Sequence, residues 1–366
     1  MKQDWSDFSQ LASYPRLPLA STGVNRLTII DARAADRPET GGVERWAREL
    51  SHRLPELRPD AYKVASPGMS YSHRLGQFWE QGVLPLKARQ QEAGVILCPA
   101  NLAPLASTKN IVVIHDVAPL RFPRDFSFAY RTWQQFLLPR IADRALKVIV
   151  PSEFSKSELI DCCDIDPGAI EVVYPGVPDD VFAGGDVEAV REKFELANPY
   201  VLTVASKVRR KNLSALIPLA MELEQIGVDV VAAGGTRPHL GSEVQGGEVR
   251  ELGPVEAGDL PSLYRGAAAF VLPSRYEGFG LPVCEAMAAG VPVVTTTAAS
   301  LPEAAGGAAL LVDPDDHAGL IEAVKSAVLD QDLRTALIAK GTQRVEGLTW
   351  AETAQRVDAV VRAVTG

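Results

Sequence analysis

Two acidic residues, Glu277 and Glu285, are separated by seven residues in a glycine-containing segment. The apolar run 267–273 before this segment predicts a buried strand, and residues 282–289 predict a short helix. Gly290 suits the left-handed position just past the end of such a helix. The predicted order of strand, glycine loop and helix therefore places both carboxylates near the helix N-terminus, where backbone amides carry a partial positive charge.

The loop between these two acids could bind an anion. The amides of Gly278, Phe279 and Gly280 would face a phosphate group at the positive helix end. Because like charges repel, Glu277 and Glu285 are better suited to accept hydrogen bonds from a vicinal diol than to bind the phosphate. The loop amides suit a phosphate, and the two acids beside them suit hydroxyl groups. Together they predict a pocket for a nucleotide sugar.

A basic segment, residues 207–212, lies between a predicted strand and a predicted helix. Arg209, Arg210 and Lys211 fall within it, and Asn212 is expected to cap the helix N-terminus. Cations at the carboxyl end of a parallel strand can hold a diphosphate and stabilise the negative charge that develops as it leaves. A solvated basic loop is the alternative interpretation of the same residues.

Two further positions follow predicted strands of the N-terminal half. His115 ends a buried strand and would face the crevice where open parallel sheets bind ligands, although a histidine at such a place often has only a structural role. Gly41 and Gly42 follow the first strand, and their small size could let a ligand approach the backbone closely. A flexible loop explains the two glycines almost as well.

Length and composition narrow the class of protein. A chain of 366 residues exceeds the size of most single cores, so two domains are expected. The net charge of -9 argues against a general nucleic-acid binder, which needs a basic face. The four cysteines fit neither a disulfide framework nor paired zinc ligands, so reduced thiols and a cytoplasmic protein are expected. The N-terminus lacks the pattern of a signal peptide, and no apolar run is long enough to span a membrane.

Several other enzyme classes lack their motifs here. In the dinucleotide-binding pattern Gly-x-Gly-x-x-Gly, the segment that begins at Gly278 has Val283 in place of the third glycine. The sequence also lacks a phosphate-binding P-loop and a zinc-binding helix with paired histidines. Nicotinamide-dependent oxidoreduction, P-loop phosphoryl transfer and zinc hydrolysis are therefore not supported.

Short apolar runs alternate with helical stretches along the chain, which predicts an α/β protein with parallel sheets. A turn-rich stretch at residues 175–185 interrupts this alternation, which then restarts. We therefore expect two Rossmann-like, doubly wound domains that face a cleft, over residues 1–185 and 186–348. Residues 349–366 predict a final helix with one apolar stripe, and periodicity leaves open whether it packs on the second domain or crosses back to the first.

This ordered set of motifs resembles the retaining glycosyltransferases of family four, which have two Rossmann-like domains in the GT-B arrangement. The most specific element is the segment 273–282 followed by Glu285, which is similar to the paired-acid motif of that family. Supporting segments lie at residues 41–45, 115–117, 151–155, 175–177, 210–213 and 253–255. The resemblance covers nearly the whole chain and implies a metal-independent enzyme that moves a hexose from a nucleoside-diphosphate sugar to an acceptor hydroxyl, with retention of the anomeric configuration.

The resemblance implies a role for each residue of the acidic segment. Glu285 would bind the ribose hydroxyl groups of the donor nucleotide, and Glu277 would lie beside the transferred sugar. The backbone amides of Phe279, Gly280 and Leu281 would bind that sugar or its phosphate.

The same resemblance gives the basic segment a role in diphosphate binding. Lys211, helped by Arg210 or Arg209, would be the cation that contacts the diphosphate. Many members of the family carry another arginine directly after the first strand of the second domain, whereas this sequence has Ser206 there. Arg210 is the expected substitute for that arginine.

Three more positions receive roles from the resemblance. His115 would lie near the donor sugar, Gly42 near the diphosphate and the acceptor, and Val255 near the base through its backbone. Positive side chains and helix dipoles would stabilise the negative charge of the diphosphate in place of a metal ion, so no cofactor is expected besides the donor. The acceptor would attack an oxocarbenium-like sugar from the face of the leaving phosphate, which is the expected base. A double displacement through Glu277 is the alternative route.

The resemblance gives a mild preference for mannose transfer from GDP-mannose in polysaccharide or glycolipid synthesis, with UDP-linked donors as the alternative. The other functions left open are a GT-B sugar-nucleotide epimerase or phosphorylase, and a protein that binds sugar nucleotides without catalysis. The expected acceptor is a glycan, a lipid-linked molecule or a small molecule. The basic and aromatic segment 121–147 could contact an anionic membrane at its inner face, although a partly buried helix pair is the more typical use of such a segment.

Overall fold

The computed structural model describes residues 26–37, 41–68, 73–183, 185–235 and 248–365. These residues form two compact units. The first unit contains the described parts of 26–121, 131–176 and 350–365. The second unit contains Phe122–Tyr130 and the described part of Val177–Thr349.

The N-terminal half alternates short strands with helices, as the pattern of apolar residues predicts. In chain order its elements are β1 (Thr28–Asp31), α1 (Gly42–Leu57), β2 (Tyr62–Ala65), α2 (His73–Phe78), α3 (Leu84–Gln90), β3 (Val95–Cys98), β4 (Asn110–Val113), α4 (Ala118–Arg121), α5 (Phe128–Arg144), β5 (Lys147–Val150), α6 (Glu153–Cys163) and β6 (Ile170–Val172). A π-helical stretch at Trp79–Val83 joins α2 to α3, and 3-10 turns lie at Pro123–Asp125 and Pro167–Ala169.

The alternation restarts in the C-terminal half. Its elements are α7 (Asp179–Ala183), α8 (Val187–Lys193), β7 (Tyr200–Val204), α9 (Leu216–Glu224), β8 (Asp229–Ala233), β9 (Arg250–Gly253), α10 (Leu260–Arg265), β10 (Ala269–Leu272), α11 (Leu281–Ala288), β11 (Val293–Thr296), α12 (Leu301–Ala305), β12 (Leu310–Val312), α13 (His317–Leu329), α14 (Gln331–Val345) and α15 (Trp350–Thr365). Two 3-10 turns, Arg209–Lys211 and Leu213–Ala215, lie between β7 and α9.

Each unit contains a six-stranded sheet whose described strand pairs are all parallel. The strand order is β2-β1-β3-β4-β5-β6 in the first unit and β12-β11-β10-β7-β8-β9 in the second. The central strands are short apolar runs because helices cover both faces of such a sheet. The predicted class, α/β with two doubly wound parallel sheets, is confirmed. His115 does not end its strand, so that prediction was wrong: β4 ends at Val113, two residues earlier.

The direction of the strand order reverses once in each sheet. In the first unit the reversal falls between β1 and β3, and in the second it falls between β7 and β10. Loops that leave two neighbouring strands at such a point run to opposite faces of the sheet and open a crevice at the carboxyl ends of the strands. In the second unit these are the loops that carry the basic segment and the paired acids.

Helix α15 packs in the first unit, against α1 and β5. The stripe expected from periodicity is buried there: Trp350, Ala354, Val357 and Val361. The indole of Trp350 meets that of Trp46 edge to face, with ring centroids 5.6 Å apart. Asp358 accepts hydrogen bonds from the hydroxyl of Tyr62 at 2.6 Å and from Nη1 of Arg58 at 2.8 Å, which fixes the rotation of the helix.

The segment Phe122–Tyr130 comes from the N-terminal half of the chain but belongs to the second unit. Its Phe122 ring lies 5.0 Å from the ring of Tyr276, which stands in the acidic segment. In the described part of the chain, no helix has both the length and the apolar character needed to cross a membrane.

Candidate active site

The loops after β7 and β10 are joined to each other at the switch point of the second unit. The amide of Arg275 donates to the carbonyl oxygen of Arg210 at 2.7 Å. The side-chain amide of Asn212 donates to the carbonyl oxygen of Pro273 at 3.2 Å. These two bonds hold the basic turn against the loop of the paired acids, although the two segments are about sixty residues apart in the chain.

Asn212 is not the helix cap that the sequence predicts. Its backbone is left-handed, with φ 55° and ψ 37°, and its side chain makes no cap hydrogen bond. The side chain donates instead to the carbonyl oxygens of Pro273 and Pro314. Asparagine tolerates a left-handed backbone better than most residues. The residue therefore closes the basic turn and ties it to the carboxyl edge of the sheet.

Lys211 and Glu277 form an ion pair at this edge. The Lys211 Nζ lies 2.6 Å from both carboxylate oxygens of Glu277. The two side chains are only 14% and 11% exposed. Because water screens such a pair poorly, the charges interact more strongly than on an open surface. The structure thus brings together the cation and one of the acids that the sequence singles out.

Two serine hydroxyl groups fix Glu277. The Oγ of Ser274 donates to Glu277 Oε1 at 2.8 Å, and the Oγ of Ser300 donates to the Glu277 carbonyl oxygen at 2.9 Å. Both serines are fully buried. Sequence reasoning missed these roles. Ser274 stands three residues before the acid, which was a usable signal, whereas Ser300 gave none because it follows a different strand.

Helix α11 begins directly after the glycine loop. Gly280 adopts φ 99°, and a Cβ at this position would lie 2.8 Å from Cδ2 of Leu301. The positive φ therefore favours glycine, and a side chain here would also force the Leu301 side chain to shift. Phe279 beside it is buried, whereas Gly278 and Leu281 are half-buried. The loop amides stand at the start of α11 as expected, and their role toward a sugar phosphate stays a prediction.

Glu285 lies within α11 and is 4% exposed. Its Oε2 accepts a hydrogen bond from the hydroxyl of Tyr264 at 2.8 Å. Tyr264 belongs to α10 and is fully buried. The sequence gave no signal for this partner. The second acid therefore has a defined orientation, while its role toward ribose stays a prediction.

The remaining basic residues differ in environment. Arg209 is exposed, whereas the side chain of Arg210 is 12% exposed. The backbone amide of Arg210 donates to Asp125 Oδ2 at 3.2 Å, and its guanidinium lies 5.8 Å from the centroid of the Phe126 ring. Ser206 is half-buried, two residues after β7. Asp125 is a further residue that sequence reasoning missed, because it comes from the segment Phe122–Tyr130.

Comparison with known proteins shows the family of this chain. The model of the glycosyl transferases group 1 matches residues 186–344, and that of glycosyltransferase family 4 matches residues 40–181. The O-antigen chain mannosyltransferase B of Escherichia coli is 30% identical over 263 residues, which cover 68% of this chain and 69% of that protein. The chain belongs to glycosyltransferase family 4. The predicted family is confirmed, and the protein is a retaining hexosyltransferase of glycan synthesis.

Solved structures place this family 4 glycosyltransferase in the GT-B fold. Sucrose-phosphate synthase from Thermosynechococcus elongatus has a TM-score of 0.73 at 18% identity, over 93% of this chain and 99% of that one. HepE from Anabaena in complex with UDP-glucose has a TM-score of 0.67 at 20% identity, over 92% of this chain and 100% of that one. At these identities the likeness shows the fold. The chain spans 52% to 57% of the length of three related D-inositol 3-phosphate glycosyltransferases.

In the first unit of this glycosyltransferase, His115 is buried and 9% exposed. Its Nε2 lies 2.8 Å from the carbonyl oxygen of Pro99, and its backbone amide donates to Asn101 Oδ1 at 2.7 Å. A carbonyl oxygen only accepts, so Nε2 carries the proton and Nδ1 is the acceptor nitrogen in the neutral ring. The ring also meets that of Trp46 edge to face, at 5.6 Å. This packing fixes the ring, and a role near the donor sugar stays a prediction.

Burial lowers the pKa of His115 below its usual 6.5, against the opposing effects of the Pro99 carbonyl, Asp116 and Glu44. The unfolded chain therefore takes up this proton more readily than the folded one, and protonation favours unfolding. The stabilising contribution is complete above about pH 6.5 and is lost as the pH falls toward the lowered pKa. We expect His115→Gln to lose less stability than the wild type between pH 8 and pH 5.5 in denaturant titrations. An identical pH dependence of the two proteins would contradict this assignment.

Two other predicted contacts of this glycosyltransferase involve backbone. Gly42 is the first residue of α1 and is exposed, and among the described residues no atom outside its own helix backbone and chain neighbours lies within 4 Å of the place where a Cβ would stand. A ligand could therefore approach its backbone, as the sequence suggests. Val255 is half-buried and lies two residues after β9. Contacts of Gly42 with the acceptor and of Val255 with the base stay predictions.

The described residues contain no group of three or more His, Cys, Asp or Glu side chains that could hold a metal ion. Two acids, Asp313 and Asp315, do follow β12 with one residue between them. Asp313 Oδ1 accepts from the amide of Asp315 at 2.9 Å, and Asp315 pairs with Nη1 of Arg275 at 2.5 Å. Asp313 therefore stabilises the loop after β12, and Asp315 links that loop to Arg275 of the acidic segment.

Proposed function

We propose that this enzyme transfers a hexose from a nucleoside-diphosphate sugar to an acceptor hydroxyl, with GDP-mannose as the first donor to test. The observation that carries the proposal is the Lys211–Glu277 pair, which stands at the carboxyl edge of β7 and β10, where doubly wound sheets bind nucleotides. The name of the Escherichia coli mannosyltransferase supports mannose, and the UDP-glucose complex of HepE supports a nucleotide-sugar donor.

Lys211 and Glu277 would exchange partners when the donor binds. Without donor, each side chain neutralises the other at 2.6 Å. A diphosphate carries more negative charge than one carboxylate, so it competes for Lys211. Glu277 would then be available for the hydroxyl groups of the sugar, while Ser274 still holds its Oε1. In this proposal the diphosphate binds at Lys211 and the sugar binds at Glu277.

The chemical step follows from this placement. As the bond between the anomeric carbon and the phosphate oxygen breaks, negative charge grows on the diphosphate, and Lys211 with the loop amides before α11 would stabilise it. Arg210, whose Nη1 lies 3.9 Å from Asp125 Oδ2, would add a second positive charge. The acceptor hydroxyl attacks from the same face and gives its proton to the leaving phosphate. The product keeps the anomeric configuration.

Glu285→Gln tests the donor site directly. Replacing the acid by a neutral amide should weaken nucleotide binding about tenfold or more, since hydrogen bonds to a charged group are worth roughly 1.5–3 kcal/mol. Thermal shift titrations with UDP, GDP and their sugar forms measure the effect, because a ligand that binds only the folded state raises the melting temperature.

Glu222→Gln is a matched control for this variant. It removes an acid of the same unit that pairs with Lys325 at 2.8 Å, so its affinity for nucleotides should equal that of the wild type. If no nucleoside diphosphate stabilises the wild type, the proposed function is wrong.

We also propose that the enzyme acts in the cytoplasm and that segment 121–147 contacts the inner face of the membrane. Vesicle flotation would test the membrane contact.

A further inference from the structure

Tyr264 and Glu285 form a buried pair that the sequence does not reveal. The tyrosine hydroxyl donates to Glu285 Oε2 at 2.8 Å, and the two residues are 0% and 4% exposed. We propose that Tyr264 is a positioning residue, which orients the Glu285 carboxylate so that the enzyme distinguishes the ribose of its donor from deoxyribose. The inference rests on the proposed function, because it requires that Glu285 bind the ribose hydroxyl groups.

The bond from Tyr264 acts on the least restrained torsion of the acid. The terminal torsion of a glutamate is broad and roughly two-fold, so the carboxylate plane is poorly fixed by packing alone. A donor placed on Oε2 selects one plane. The direction of Oε1 is then fixed as well, since the two oxygens share one planar group. Recognition of a vicinal diol needs such fixed acceptors, because two hydroxyl groups must be met at set angles.

Tyr264 itself is held from two sides. Its ring packs on the ring of Phe270 in β10, with centroids 5.5 Å apart and a tilt of 50°. Its helix, α10, is anchored by Tyr200, whose hydroxyl donates to the carbonyl oxygen of the neighbouring Leu263 at 2.8 Å. The tyrosine hydroxyl therefore has a defined position relative to the sheet edge. A donor fixed in this way can orient a side chain that a mobile group could not.

The chain offers a matched control at Tyr62 in the first unit. Tyr62 is 2% exposed, and its hydroxyl donates to the Asp358 carboxylate at 2.6 Å. Like Tyr264, it is a buried tyrosine whose hydroxyl donates to a carboxylate. Tyr62→Phe therefore removes a comparable hydroxyl without touching Glu285 or the helix that carries Tyr264.

The test measures affinity for UDP and GDP and for their 2′-deoxy and 3′-deoxy forms by calorimetry. The wild type should bind the better nucleotide about tenfold or more tightly than its deoxy forms, because a lost hydroxyl leaves a charged acceptor without its partner. In Tyr264→Phe and Tyr264→Met, which both lack the hydroxyl, this ratio should fall to within about threefold of unity. Tyr62→Phe should keep the wild-type ratio.

Each other result has a single meaning. If Glu285→Gln keeps the wild-type affinity and ratio, the ribose role in the proposed function is wrong. If Glu285→Gln loses the ratio while Tyr264→Phe keeps it, the inference on Tyr264 is overturned and the proposed function stands. Equal losses in Tyr62→Phe and Tyr264→Phe, or the failure of both Tyr264 variants to fold, would assign the hydroxyl to stability alone and also overturn the inference.

Discussion

Replacement of Lys211 by alanine is expected to lower kcat by about 10²–10³-fold, the usual cost of removing one group that stabilises developing charge. The side chain is 14% exposed and contacts both oxygens of Glu277 at 2.6 Å, so its charge acts where water screens poorly. The variant also leaves the Glu277 carboxylate without its cation beside the proposed diphosphate. Repulsion between the two anions should raise KM for the donor as well. Steady-state rates of transfer to an acceptor, at saturating and limiting donor, measure both effects.

The control for Lys211→Ala is Lys325→Ala. Lys325 forms an ion pair of similar length with Glu222, at 2.8 Å, but joins α13 to α9. Its loss should leave kcat and KM unchanged. Lys211→Arg keeps the charge in a different shape and should retain part of the activity, because guanidinium and ammonium groups place their donors differently. A Lys211→Ala enzyme with wild-type kcat would show that this lysine does not stabilise the leaving group.

Replacement of Trp350 by alanine is expected to destabilise the first unit by about 3–5 kcal/mol, the range for deletion of a large buried aromatic side chain. Trp350 is fully buried and packs edge to face on Trp46. The substitution removes the first anchor of α15, whose other buried residues continue the same core. Guanidinium unfolding curves, followed by tryptophan fluorescence and by far-ultraviolet circular dichroism, would measure the loss.

Because the two units can unfold in separate steps, the measurement must show which unit loses stability in Trp350→Ala. If α15 belongs to the first unit, nucleotide binding by the second unit should persist in Trp350→Ala at temperatures where the wild type is stable. Leu329→Ala serves as the control, because this side chain is 65% exposed and its loss should change the free energy of unfolding by less than about 0.5 kcal/mol. A loss below about 1 kcal/mol in Trp350→Ala would contradict the packing described for the helix.

Much of the fold follows from local patterns in the sequence. Short apolar runs such as 267–273 predict buried strands, and their alternation with helices predicts parallel pairing. Gly290 takes φ 73°, as expected for a residue just past a helix. These features depend on residues close in sequence. The path of Phe122–Tyr130 into the second unit depends on contacts such as Phe122 with Tyr276, which no periodicity records.

The candidate site likewise combines features that the sequence predicts with features that depend on distant contacts. Topology alone predicts that Lys211 and Glu277 approach each other, because both follow strands that pair at the switch point. The prediction for Asn212 was wrong, because a local propensity for capping competes with bonds to distant carbonyl groups, and the distant bonds prevail. Asp125 and Tyr264 were missed for the same reason. Each of these residues lies in an element whose local sequence does not predict its contact with the site.

The most direct test of the account is a crystal structure of the enzyme with its nucleoside-diphosphate sugar bound. We expect the diphosphate to contact Lys211 and the amides before α11, and the sugar to contact Glu277. The ribose hydroxyl groups should bind Glu285 while Tyr264 still donates to that acid. A nucleotide bound away from the carboxyl edge of β7 and β10, or an ion pair of Lys211 and Glu277 that persists unchanged beside a bound donor, would contradict the account.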